Sequence, residues 1–177
     1  PPKFHYFYLK KIYKYTMPIY VEKPFVISNK EALELVKLYN KNNVPLFVAH
    51  YKRLTAKMQK LKKLIEQKVI GEIINIDGVF CRPFNLDLLN NSWIYKKEIS
   101  GGGRFFDIAP HILDIIYYIF GEFSNINSKV IYETKLHNCE NIVDATFNIG
   151  NIFCKLYFNL IADEEIDLIK FYGTNGY

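Results

Sequence analysis

Val21-Glu22-Lys23-Pro24 closes a short apolar run, Met17 to Val21, and is followed at once by Ser28-Asn29-Lys30-Glu31. The first four residues read as the carboxyl end of a buried strand that Pro24 cannot continue. The next four fit a capping box, in which Ser28 at N-cap accepts from the backbone of Glu31 while Glu31 reaches back to the Ser28 amide. A helix through Ala32, Leu35, Val36 and Tyr39 follows, and Asn40 to Asn43 stop it. Val44 to Ala49 is apolar nearly throughout, as a strand buried on both faces is. Upstream, Lys3 to Tyr15 is amphipathic, with Phe4, Phe7, Tyr8 and Ile12 available for one face. The first 50 residues therefore read α-β-α-β, the order that gives parallel strands with crossover helices.

Beyond His50 to Thr55 the pattern changes. Lys57 to Lys68 is the densest basic stretch, with Met58, Leu61, Leu64 and Ile65 at helical spacing and lysines mostly between them. Gly71-Glu72 opens a long strand, Ile73 to Phe80. A helix over about Ile108 to Phe120 is inserted next, with Gly121 placed to end it. Strand candidates follow at Ser128 to Thr134, Ile142 to Asn148, Asn151 to Leu160 and Ile166 to Tyr172, with Gly150-Asn151 suited to a tight hairpin. A meander of antiparallel strands packed on helices is α+β in character, so the fold expected is α/β followed by α+β.

Bulk properties exclude several classes. Half of the 177 residues are hydrophobic, enough for a packed core. No apolar run approaches the roughly 20 residues that span a bilayer, and Pro1-Pro2-Lys3-Phe4-His5 has neither region of a signal peptide. The expectation is a soluble cytoplasmic protein with no membrane contact. Cys81, Cys139 and Cys154 are odd in number and widely spaced, which argues against a disulfide framework and against a zinc site, so they read as reduced thiols and no metal is expected. Lys plus Arg exceed Asp plus Glu by 23 to 18, but the basic helix reads as a solvated face and no nucleic-acid motif accompanies it. No nucleic-acid partner is expected.

Asp107, His111 and Asp114 stand at i, i+4 and i+7 and share one face of an otherwise apolar helix. Pro110 is tolerable in a first turn, which places the helix start close to Asp107 and His111 near the positive end of the dipole. A histidine there stays neutral and able to accept a proton; alone, it reads equally as a core histidine satisfied by a carbonyl. Gly101-Gly102-Gly103 reads as a linker or as a tight pocket wall edged by Ser100 and Arg104. Lys23 sits at the carboxyl end of a parallel strand, where open α/β sheets bind ligands, although many strand-end lysines only face solvent.

In this order the motifs resemble the glucose-fructose oxidoreductase, inositol dehydrogenase and rhizopine catabolism (Gfo/Idh/MocA) superfamily of NAD(P)-dependent oxidoreductases. Pro1 to His5 is similar to its T-P-x-x-x-H segment, Glu22-Lys23-Pro24 to its E-K-P motif, and Val48 to Arg53 to the strand leading into its substrate domain. Ile70-Gly71-Glu72-Ile73 looks like its I-G-E-I/V turn, Trp93 with Ser100 to Gly103 like its W…G-G-G segment, and Asp107 to Asp114 like its D-x-x-x-H-x-x-D helix. The resemblance implies residues 1–50 as the C-terminal portion of a Rossmann domain. It implies residues 51–177 as a substrate-binding and oligomerisation domain with an open, mostly antiparallel sheet packed on helices.

It also implies NAD or NADP as cofactor, a sugar, polyol or cyclitol as substrate, and a homo-oligomer formed through the open sheet. By position, Lys23 would hold the reacting oxygen, His111 would take the hydroxyl proton, and Asp107 would orient and tune His111. Glu22, Lys23, Pro24 and His5 would meet the cofactor; Lys52 and Trp93 would join Asp107 and His111 at the substrate. Asp114 reads as structural.

The pattern departs from the family at both ends. No G-x-G-x-x-G precedes Lys3, and Phe171 to Tyr177 looks like a strand and G-T-x-G turn without its returning strand. The expectation is a segment of a longer enzyme that does not turn over by itself. The alternative is a non-catalytic protein binding a sugar-like ligand or partner on the same scaffold.

Overall fold

Leu35 and Tyr39 stand one turn apart on the helix that Ser28 caps, and both are buried. They organise the first part of the chain in a computed structural model that describes residues 1–132 and 138–177. Helix α1 (Pro2–Ile12), strand β1 (Ile19–Val21), helix α2 (Asn29–Lys41) and strand β2 (Leu46–Val48) follow in order, and β1 pairs with β2 in parallel. The Ser28 hydroxyl accepts from Glu31 N at 3.3 Å as the capping box requires. The Glu31 carboxylate, however, accepts from Ile27 N at 3.3 Å rather than from the Ser28 amide, so the reciprocal half closes one residue earlier.

Two expected faces are corrected. Leu9 is buried on α1, as is Pro2 at its start, with Tyr6, Ile12 and Tyr13 packed beside Leu9, and the Tyr39 hydroxyl donates to Leu9 O at 2.9 Å. Phe4, Phe7 and Tyr8 are therefore turned outward, and Lys11 lies over the Phe7 ring. Strand β2 is not buried on both faces: side chains alternate, and Phe47, in register with Tyr20 of β1, is exposed with it. Val36 also faces out, since α2 buries only the Leu35–Tyr39 side.

The rest of the described chain comprises α3 (Ala56–Glu66), β3 (Ile73–Pro83), α4 (Leu86–Asn91), α5 (Lys97–Ser100), α6 (Gly103–Phe120), β4 (Ser124–Tyr132), β5 (Glu140–Ile149), β6 (Ile152–Ala162) and β7 (Ile166–Gly173). The expected strand Ser128 to Thr134 is present as far as Tyr132; Glu133 and Thr134 lie outside the described residues. The sheet order is β4-β5-β6-β3-β7. It is a meander only over β4-β5-β6, because β3 inserts beside β6, parallel to it, and pairs antiparallel with β7. The α/β arrangement followed by α+β is thus present, with a mixed five-stranded sheet.

Helix α6 lies on this sheet through Ala109 and Ile116, which join Ile76, Phe80, Val143, Phe147, Leu156 and Phe158 in one core. The stripe of α3 is only half-buried; Lys57, Lys60 and Lys63 face solvent, while Lys62 is half-buried with its ammonium over the Tyr118 ring. Cys81, Cys139 and Cys154 are free and buried.

The start of α6 depends on the triple glycine. Gly103 has φ +73° and its added Cβ would stand 2.4 Å from the Cys139 Cβ, while Gly101, φ +91°, lies against Ile27 of the β1–α2 connection. These residues are a packing wedge between the two sheets' connections. Gly103→Ala is expected to destabilise the fold by about 3 kcal/mol, from overpacking and a left-handed backbone together. Gly150→Ala, with φ +56° and open space around it, is expected to cost about 1 kcal/mol. Urea unfolding of the two variants measures the difference; equal losses would remove the wedge.

Candidate active site

Lys23 leaves the carboxyl end of β1 and turns its side chain across to α6. Its peptide bond to Pro24 is cis, and the chain turns away from the strand at these two residues. That turn is held from α1, where His5 Nδ1 donates toward Pro24 O at 3.0 Å and Phe25 O at 3.1 Å. The Lys23 side chain is 14% exposed, and its ammonium donates to the Asp107 carbonyl at 2.9 Å and to the Asp107 carboxylate.

One turn along α6 is His111. Its Nδ1 is buried and has no hydrogen-bond partner among the described residues. The Tyr51 ring stands edge-on to the imidazole, 5.8 Å between centroids. Burial, then the charges of Lys23 and Lys52, push the His111 pKa down to about 4, with Asp107 opposing. The third polar residue of the face, Asp114, is 8% exposed and takes a two-pronged contact from the Arg53 guanidinium, Nε to Oδ2 at 3.0 Å and Nη2 to Oδ1. His50 Nδ1 lies 3.6 Å from Asp114 Oδ1.

The neutrality of His111 has a different cause from the one the sequence suggested. Helix α6 begins at Gly103, because Ser100 Oγ accepts from Gly102 N at 3.3 Å and Gly103 N at 3.1 Å and satisfies the first amides there. Pro110 is consequently inside the helix, and the Phe106 carbonyl has no N–H four residues on. His111 is two turns from the helix start, beyond the reach of the terminal dipole. Two lysines and burial do what the dipole was expected to do.

The arrangement combines a cation that can stabilise a developing oxyanion with a neutral imidazole that can accept a proton. Of the other expected residues, Lys52 is half-buried and near enough for its charge to act on His111. Pro24 is buried, and Glu22 is exposed at the strand end. Trp93 is half-buried ahead of α5, its carbonyl accepting from Lys96 N at 3.0 Å. Sequence reasoning missed Tyr51 and His50; their place at the carboxyl end of the second parallel strand, beside Lys52, is the signal that would have found them.

Residues 58–177 match the family described as GFO/IDH/MocA C-terminal domain. The chain belongs to the GFO/IDH/MocA family. Relatives of this GFO/IDH/MocA chain carry the names of oxidoreductases and dehydrogenases. Oxidoreductase P35 of Formosa agariphila is 33% identical over 99% of the chain and 56% of its own length. Levoglucosan dehydrogenase of Pseudarthrobacter phenanthrenivorans is 32% identical over 62% of the chain and 28% of its own length. The solved structure of a levoglucosan dehydrogenase in complex with NADH matches the fold with a TM-score of 0.87 at 22% identity, covering 98% of this chain and 50% of that one. The chain thus spans about half the length of the Formosa relative and of that solved structure.

In this GFO/IDH/MocA chain the His111 imidazole is expected to titrate near pH 4, followed by NMR of its ring protons. Its folded pKa lies below the unfolded value of about 6.5, so the unfolded state binds the extra proton. Stability is therefore full above pH 6.5 and falls as the pH drops toward 4; urea midpoints between those values measure the slope. A His111→Phe variant should lose that part of the slope, and an unchanged slope contradicts the assignment.

Proposed function

We propose that the protein carrying this chain is an NAD- or NADP-dependent oxidoreductase acting on a hydroxyl or keto group of a sugar, polyol or cyclitol. In this reading residues 1–50 belong to the dinucleotide-binding domain and residues 51–177 form the substrate domain, whose sheet face away from α6 meets a second copy. What carries the proposal is one observation: a neutral, half-buried imidazole, whose buried Nδ1 has no hydrogen-bond partner among the described residues, stands one helical turn from the residue that binds a nearly buried lysine ammonium. Relatives named as sugar dehydrogenases support the substrate class.

Lys23 holds the substrate oxygen and stabilises negative charge as it develops there. His111 takes the hydroxyl proton in oxidation and returns it in reduction. Asp107 fixes Lys23 and offsets part of the positive field on His111. Glu22 and Pro24 border the cofactor, His5 fixes the turn that presents Lys23, and Lys52 and Trp93 meet the substrate. A nicotinamide bound at this end of the strands would supply the hydride chemistry at the substrate carbon. An acceptor nitrogen kept neutral beside a fixed ammonium, at the carboxyl ends of two parallel strands, suits that group and its alcohol substrate.

In the protein that carries this chain, His111→Ala is expected to lower kcat by about 10² while NADH or NADPH still binds, as read by nucleotide fluorescence. Turnover close to that of the unaltered protein removes His111 from the reaction.

A further inference from the structure

Among the described residues, His50 is the one histidine near this centre to which the mechanism gives no task. It follows β2, its amide donating to Val48 O at 2.7 Å, and its Nδ1 is buried without a hydrogen-bond partner among the described residues. That atom faces Asp114 Oδ1 at 3.6 Å, beyond a hydrogen bond by about half an ångström. Asp114 is itself nearly buried and is gripped by Arg53, which belongs to the 3-10 turn Tyr51–Leu54. One carboxylate therefore meets both ends of the four-residue segment His50 to Arg53. Between those ends lie Tyr51, whose ring stands against His111, and Lys52, whose charge acts on it.

We infer that His50 is a positioning residue: with its proton on Nδ1 it turns an N–H dipole on the Asp114 carboxylate, a close contact short of a hydrogen bond, and this second anchor holds the segment of Tyr51 and Lys52 beside His111. The inference deepens the proposed function, on which its link to proton transfer rests. The tautomer follows from the partner, since a carboxylate oxygen accepts only and would repel a lone pair on Nδ1. Burial, with Arg53 and Lys23 nearby, lowers the His50 pKa against the pull of Asp114, so the ring is a neutral donor and not a competing cation. Without the anchor, Arg53 is the segment's remaining tie to Asp114, and although Thr55 still holds the Lys52 carbonyl, the Lys52 side chain can swing from His111 toward water. The charged groups facing His111 are then Lys23 from the turn after β1 and Asp107 from its own helix.

The test is an NMR titration of the His111 ring in the protein that carries this chain, assigned by its loss in His111→Asn. Three proteins are compared: unaltered, His50→Phe and His50→Asn. Asparagine presents an amide donor where Nδ1 was; phenylalanine fills the space without one. The expected result is a midpoint near 4 in the unaltered protein and in His50→Asn. In His50→Phe the midpoint should rise by about one unit, a tenfold gain in proton affinity. If His50→Phe does not melt cooperatively, His50→Gln replaces it, since its amide falls at the Nε2 position and misses Asp114. An unchanged midpoint in the donor-less variant, or an equal rise in both variants, overturns the inference. The titration needs no turnover, so failure here counts against His50 alone, whereas normal turnover of His111→Ala counts against the proposed function.

Discussion

Lys23 brings a nearly buried ammonium from the end of one sheet to the helix that covers the other, and Asp107 receives it with both carbonyl and carboxylate. An ammonium taken out of water loses several kcal/mol of solvation unless its donors are satisfied, so this contact constrains where β1 ends relative to α6. The Leu9–Leu35–Tyr39 core holds β1 from behind, and His5 pins the turn that follows it. The next turn of α6 then places an imidazole in the field of that cation. The low pKa of His111 is a consequence of this junction rather than a property of the helix alone.

The helix can present that face because its opening is fixed elsewhere. Ser100 caps it, Gly103 lets it approach Cys139, and Ala109 and Ile116 seat its other side on Phe80, Phe147 and Phe158. With the apolar side committed to the sheet, Asp107, His111 and Asp114 are turned toward β1, β2 and the Tyr51–Leu54 turn. Arg53 closes the lower end of the face on Asp114, and Lys23 closes the upper end on Asp107. The imidazole between them stands in the field of Lys23 and Lys52.

Much of this was legible in the residues. Ser28 before Glu31, Pro24 after Val21 and the i, i+4, i+7 spacing of Asp107, His111 and Asp114 are local signals, and each is where the sequence placed it. Non-local facts were not legible. The insertion of β3 beside β6 depends on pairing across some 80 residues. The start of α6 was misplaced because Pro110 is a strong breaker and the Ser100 cap lies outside the apolar pattern. Arg53 and Asp114 are 61 positions apart, so their contact, and with it the roles of Tyr51 and His50, appears only once the chain is folded. The outward Phe4, Phe7 and Tyr8 show the same limit, since α2 chose which side of an aromatic-rich helix to cover.

The central claim is that Lys23 and Asp107 act as one unit in setting up the reaction. A double-mutant cycle on kcat/KM with Lys23→Met, Asp107→Asn and the pair tests it in the protein that carries this chain. The account predicts strong non-additivity, with the double variant no more than about threefold below the worse single variant. Losses that multiply, as for two independent residues, would contradict it.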